Sequence, residues 1–206
     1  MPGAVPLTPG ERAAQREADA RAAVFRGVHT EGVSVAFVAG IDEAEAVRRL
    51  GRDPHDGTAG PPDASAVPHD PAAAHRRVGV TGVAGGCVLL QPGSYLLGTD
   101  AALAALSAGA TAYGLYFNPG GGTFGTLSRD GRTEPTEEIG LPPYGDEPEG
   151  HWRYRFWSRS RPQERYGAGA LGYAAAAAGL RVTGPRPVSG PPHRWVEIPA
   201  GSPLLA

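Results

Sequence analysis

The stretch Val33-Ser34-Val35-Ala36-Phe37-Val38-Ala39 runs into Gly40-Ile41-Asp42 and then into Glu43-Ala44-Glu45-Ala46-Val47-Arg48-Arg49-Leu50-Gly51. The first part is β-branched and apolar, the pattern of a buried strand. The second part carries the signals of a short helix. Asp42 is a suitable N-cap and Glu45 stands at the capping-box position. Arg48 and Arg49 fall in the last turn, where positive charge meets the helix dipole. Gly51 is placed to end the helix in a left-handed conformation.

The same grammar recurs at Gly98-Thr99-Asp100, followed by eight residues and Gly109. Asp100, or Thr99 beside it, caps this second helix, and Leu103 and Leu106 are spaced for one face. Strand signals surround it. Val78–Val83 and Cys87–Gln91 are joined by Ala84-Gly85-Gly86, and Thr111–Phe117 pairs back onto Thr123–Leu127 across Asn118-Pro119-Gly120-Gly121-Gly122. Consecutive strands joined by tight turns predict a mostly antiparallel sheet. At the N-terminus, Thr8-Pro9-Gly10-Glu11 reads as a capping box with proline at the first helical position. The helix it opens is rich in Arg, Glu and Ala, which suits a surface position. Residues 167–178 read as an Ala-rich helix.

The expected fold class is therefore α+β. A mostly antiparallel twisted sheet would carry the two capped Gly-x-Asp helices, the N-terminal helix and the C-terminal Ala-rich helix. Residues 1–10 are expected to be disordered and 11–25 to form a surface helix. Residues 26–184 would form one α+β domain, with a disordered insertion at 52–75 where proline, aspartate and small residues erase any period. Residues 185–206 would be a Pro-rich tail with one short strand.

Composition removes several chemistries. All 19 basic residues are arginine. A chain without lysine forms no Schiff base and holds no pyridoxal phosphate covalently. It also lacks the lysine of a P-loop or a protein kinase. The net charge of −2 gives no overall attraction to nucleic acid or acidic membranes. One cysteine, Cys87, allows no internal disulfide and no CxxC site. The N-terminus lacks a signal pattern and no apolar run is long enough to span a bilayer, so a cytoplasmic location is expected.

These residues together resemble a family. The elements that carry the resemblance are Gly40-Ile41-Asp42, Ala46-Val47-Arg48-Arg49-Leu50-Gly51, Val78-Gly79-Val80 with Gly85-Gly86, Leu106-Ser107-Ala108-Gly109, Arg129-Asp130-Gly131 and Leu180-Arg181-Val182-Thr183-Gly184. The chain is similar to an uncharacterised family of small actinobacterial proteins, a domain of unknown function. The likeness spans residues 33–133 and, more thinly, 170–184, and Cys87 stands where such proteins often carry Trp. It implies an α+β fold and supplies no activity and no catalytic residue.

Four features hold possible chemistry. Gly167-Ala168-Gly169-Ala170-Leu171-Gly172 matches the glycine pattern of dinucleotide-binding loops. It follows Arg161-Pro162-Gln163-Glu164-Arg165 rather than an apolar strand, so a small-residue helix packed against a neighbour explains it better and no cofactor is expected. His55, Asp56, His69 and Asp70, with Asp53 and His75, offer metal-ligand types, but on a Pro/Gly-rich loop without rigid support. No metal site is expected there. Cys87 reads as a buried thiol. His151-Trp152-Arg153-Tyr154-Arg155-Phe156-Trp157 alternates aromatic and basic side chains, and Arg159 extends it. Arginine beside stacking aromatics suits anions and single-stranded nucleic acid, although the acidic stretch containing Glu137, Glu138, Asp146, Glu147 and Glu149 offsets that charge.

The leading expectation is a non-catalytic module that binds a protein or peptide. It would use His151, Trp152, Arg153, Tyr154, Arg155, Trp157 and Arg159, or an open sheet edge. The alternative is a small hydrolase or transferase acting on an anionic substrate. Weak anion or single-stranded nucleic-acid binding through the aromatic/arginine strand ranks third. Asp42, Asp100, Gly51 and Gly109 are assigned structural roles as caps and stops. Function is sought in Glu134–Tyr166.

Overall fold

The computed structural model describes residues 6–57, 71–139 and 167–205. At its centre is β1 (Val33–Ala39), flanked by β3 (Gly86–Pro92) and β4 (Thr111–Phe117). Outward from β3 lie β2 (Arg77–Val83) and β8 (Arg194–Glu197). Outward from β4 lies β5 (Thr123–Arg129), whose far side pairs with the two-residue strands β6 (Arg132–Thr133) and β7 (Glu137–Glu138). Every pairing is antiparallel. The fold is α+β.

Val35 and Phe37 point to one face of β1 and Ala36 and Val38 to the other, and all four are fully buried. The sheet is thus covered on both sides, which is why β1 reads as a continuous apolar run rather than an alternating one. One face packs on α1 (Pro9–Ala22) and α5 (Ala168–Ala178), with Phe25, Leu171 and Leu180 filling the layer. The other packs on α2 (Glu43–Arg49) and α4 (Asp100–Ser107), with Leu50, Leu103 and Leu106. Each buried Val, Leu or Phe adds about 1.5–3 kcal/mol of transfer free energy.

The local signals act through hydrogen bonds. Thr8 and Glu11 form the full capping box of α1. Asp42 Oδ1 accepts the Glu45 N–H at 2.8 Å. The Glu45 side chain does not close a box with Asp42; Arg49 Nε donates to it at 2.7 Å, and it also pairs with Arg48. Gly51 and Gly109 follow their helices at φ 80° and 64°. The second unit differs by one residue from the aspartate assignment. Thr99 caps α4, its Oγ1 accepting from Ala102 N–H at 3.4 Å and donating to Leu96 O at 2.8 Å, and Asp100 is the first helical residue. A 3-10 turn at Leu96–Gly98 precedes α4, brings the Leu96 carbonyl under Thr99 and sets the cap there.

Three expectations about the periphery change. Helix α1 is not merely superficial, because Ala18 is buried and Ala22 lies against α5. The end of the insertion expected at 52–75 is helical, in α3 (Pro71–Arg76). Its end is fixed by the buried amide of Gln91, whose Nε2 donates to His75 O at 2.7 Å and to Ala74 O at 3.3 Å. Residues 58–70 lie outside the described residues. The C-terminal segment is no appended tail. It forms α6 (Arg186–Ser189) and then β8, which pairs with β2 and buries Val196, Ile198 and Leu204 in the second core. β2 would otherwise be an apolar edge, and β8 covers it.

Gly172 explains the dinucleotide-like glycine pattern. A Cβ on it would stand 2.5 Å from Ala22 N and 2.7 Å from Ala22 Cα, so the absent side chain lets α5 touch the α1 backbone. Gly172→Ala is expected to destabilise the fold by about 1–3 kcal/mol through overpacking. Gly10→Ala, in open space within α1, should instead gain up to about 1 kcal/mol. Thermal melts of the two variants, moving in opposite directions, check the assignment.

Candidate functional site

The residues His151, Trp152, Arg153, Tyr154, Arg155, Trp157 and Arg159 lie outside the described residues, as do His69 and Asp70. The remaining candidates are placed as follows. Cys87 is fully buried on β3, and burial, then the charges of Glu43 and Asp42, push its thiol up to about 12. A thiol held protonated and sealed from solvent is no nucleophile. His55 and Asp53 sit in a local turn in which the His55 N–H donates to Asp53 Oδ1 at 2.9 Å. Among the described residues no group of three or more His, Cys, Asp or Glu could hold a metal ion. None of the described helices is long and apolar enough to cross a membrane.

Two polar clusters serve the architecture. In the first, Tyr113 and Tyr173 both donate their hydroxyls to Glu137 Oε1, the former at 2.5 Å. All three residues are buried, and the cluster fastens β7 and α5 to β4. Burial, with Tyr173 and Glu137 nearby, holds Tyr113 well above the usual phenol range. In the second, Glu43 at the start of α2 joins three elements. His193 Nδ1 lies 2.8 Å from its Oε2, Arg194 Nε donates to Oε1 at 2.5 Å, and Gly82 N–H donates to Oε2 at 3.1 Å. Burial alone would raise this carboxyl. The hydrogen bonds from His193, Arg194 and Gly82 and the Arg194 charge together outweigh it, and the net shift is downward.

The β8 edge of the sheet is also committed. Arg52 Nε donates to Glu197 O, Arg194 Nη1 donates to Pro54 O, and Gly57 lies against Trp195 O, so residues 52–57 run beside β8. At the opposite edge β6 and β7 have only two residues each. The expected open edge for strand addition is therefore not offered at β8.

A groove on the α4 side of the sheet is built differently. Tyr95, Gly98, Tyr116, Phe124, Thr126 and Thr136 line a cavity of about 190 Å³. Tyr116 and Phe124 are directly opposed across the β4–β5 hairpin. Tyr95 comes from the turn after β3 and meets Tyr116 edge-on, with ring centroids 6.0 Å apart. The turn reaches this position because Gly114 has no side chain: a Cβ there would lie 2.2 Å from Leu97 O.

Tyr95 is 54% exposed and is the exposed large hydrophobic residue of the described chain. It is nonetheless held from behind. The His75 ring packs at 5.5 Å, and His75 Nδ1 is hydrogen-bonded to Ser94 Oγ at 2.7 Å. Ser94 is 5% exposed and its Oγ also accepts from Leu96 N–H at 3.4 Å, so this Ser–His pair braces the turn. Thr126 and Thr136 share a hydroxyl–hydroxyl bond of 2.8 Å at the groove floor.

A larger cleft of about 450 Å³ lies between α1 and residues 181–183. Its central Arg21 is already engaged by Glu17 and by Leu180 O, which leaves mixed charge and no aromatic surface. The smaller aromatic groove differs in presenting an exposed ring that is held in place. Sequence reading missed it because its members come from four separate segments; the one available signal was Tyr116 and Phe124 flanking the same glycine turn.

Searches against protein-family models, curated proteins and solved structures returned no match for the chain.

Cys87 is expected to resist iodoacetamide in the native protein at mildly alkaline pH and to react fully once denaturant is added; mass spectrometry reads both states. Glu43→Gln tests the charged node. A lowered folded pKa contributes stability that is fully present above the ordinary carboxyl pKa and is lost as pH falls through the folded value. Denaturant melts should show wild type more stable than the variant at neutral pH, with the gap closing in acid.

Proposed function

We propose that the protein is a non-catalytic module that binds a peptide segment of a partner, with the groove around Tyr95, Tyr116 and Phe124 as its recognition surface. The carrying observation is that Tyr95 is both exposed and braced. A tyrosine left in water on a flexible turn would gain little. Here His75, Ser94 and Tyr116 fix the ring before any ligand arrives. Tyrosine provides a large contact area at low entropy cost, and prior ordering reduces that cost further.

The Ser94–His75 contact is the observation that favours a hydrolase as the second reading. Burial of Ser94 Oγ, already engaged in the turn, speaks against it as an attacking group. A cytoplasmic setting and the family resemblance are compatible with the binding reading and add no activity to it.

Selection of displayed peptides on the full chain tests the proposal. Selected peptides should lose affinity by about tenfold or more on Tyr95→Ala, the usual effect of deleting a central aromatic anchor. Unchanged affinity in the variant, with its melt intact, would overturn the groove as the surface. Turnover of an ester probe abolished by Ser94→Ala would favour the hydrolase.

A further inference from the structure

Resting on the reading that this groove binds peptide, the geometry points to a proline-rich segment in polyproline II conformation as its occupant. The first ground is charge. None of the six described lining residues is charged, so a charged side chain seated among them would be desolvated without a partner there. A phosphorylated or acidic peptide would require arginine, and there is none among the described lining residues.

The second ground is the kind of hydrogen bonding on offer. Among the described residues the hydroxyls of Tyr95 and Tyr116 are not hydrogen-bonded to protein, so both can donate to a ligand. The six described lining side chains include no carboxylate or carboxamide to receive several ligand donors at once; the Glu138 carboxylate stands outside them, beside Phe124 at Gly122. A sugar, dense in hydroxyl donors, fits this poorly. A proline-rich segment fits it well. Its backbone carbonyls accept, its prolines carry no N–H, and its pyrrolidine rings offer apolar faces to Tyr95, Tyr116 and Phe124.

The third ground is shape. A space of about 190 Å³ is too small to seat the i, i+4, i+7 side chains of a docked helix together. The groove lies on the face of the β4–β5 pair, whose facing backbone groups are already paired with each other, so a ligand there adds no strand. Among the recurrent modes of peptide recognition, a short aromatic groove with phenol donors matches a ligand that is already extended before binding.

The test is a titration of the ¹⁵N-labelled full chain with an end-blocked oligoproline peptide and, separately, with an end-blocked oligoserine of equal length. Oligoproline should shift the amide signals of Tyr95, Gly98 and Phe124, and oligoserine should leave them in place. Tyr95→Ala should weaken oligoproline binding by about tenfold or more. Tyr95→Phe keeps the ring and removes one donor, and should weaken binding by about two- to tenfold. Equal binding of the two peptides, or no weakening in Tyr95→Phe, overturns the assignment. If selected peptides depend on Tyr95 while oligoproline shifts nothing, the proline assignment fails and the groove stands. If neither binds, both fail.

Discussion

Everything in this fold depends on β1 being buried on both faces. Val35 and Phe37 need one apolar layer and Ala36 and Val38 need another. An antiparallel sheet commonly leaves one face to water, yet here that would expose half of the central strand. The chain supplies α1 and α5 to one side and α2 and α4 to the other. Small residues make the close layers possible. The Ala/Gly composition, which buries little area per residue, is used where backbones must approach, as at Gly172 against Ala22.

The groove follows from the same layering. Helix α4 and the turn before it cover β4 and β5 from their Thr111–Arg129 end as far as Gly114, with Ser107 Oγ on Ser128 Oγ and the turn lying close against Gly114. Past that limit Tyr116 and Phe124 remain at the margin of the second core, and Tyr95 stands over them from the turn. The fixed aromatic surface is thus the place where the covering layer stops. His75 reaches it because Gln91, buried in β3, holds the end of α3 through two backbone carbonyls.

Local chemistry was legible wherever the partners sit three or four residues apart. The Thr8–Glu11 box and the Asp42 cap need only the helix itself. Thr99 in place of Asp100 shows the limit, because the cap position was set by the 3-10 turn before it. The role of the C-terminus was not legible. β8 is a short run whose partner, β2, is distant in sequence, and only that pairing makes it part of the sheet. The arginines also escaped local reading: Arg52 and Arg194 hold residues 52–57 beside β8, and Arg194 and His193 meet Glu43 at the start of α2.

The sequence by itself determined the α+β class, the antiparallel hairpins, most helix ends and the absence of lysine-dependent chemistry, because these follow from periodicity, turn residues and composition. Tertiary structure alone decided the two-sided covering of the sheet, the inclusion of β8, the sealing of Cys87 and the meeting of His75, Ser94, Tyr95, Tyr116 and Phe124. Those outcomes depend on which segments pack together across long sequence separations. Period and spacing carry no term for that.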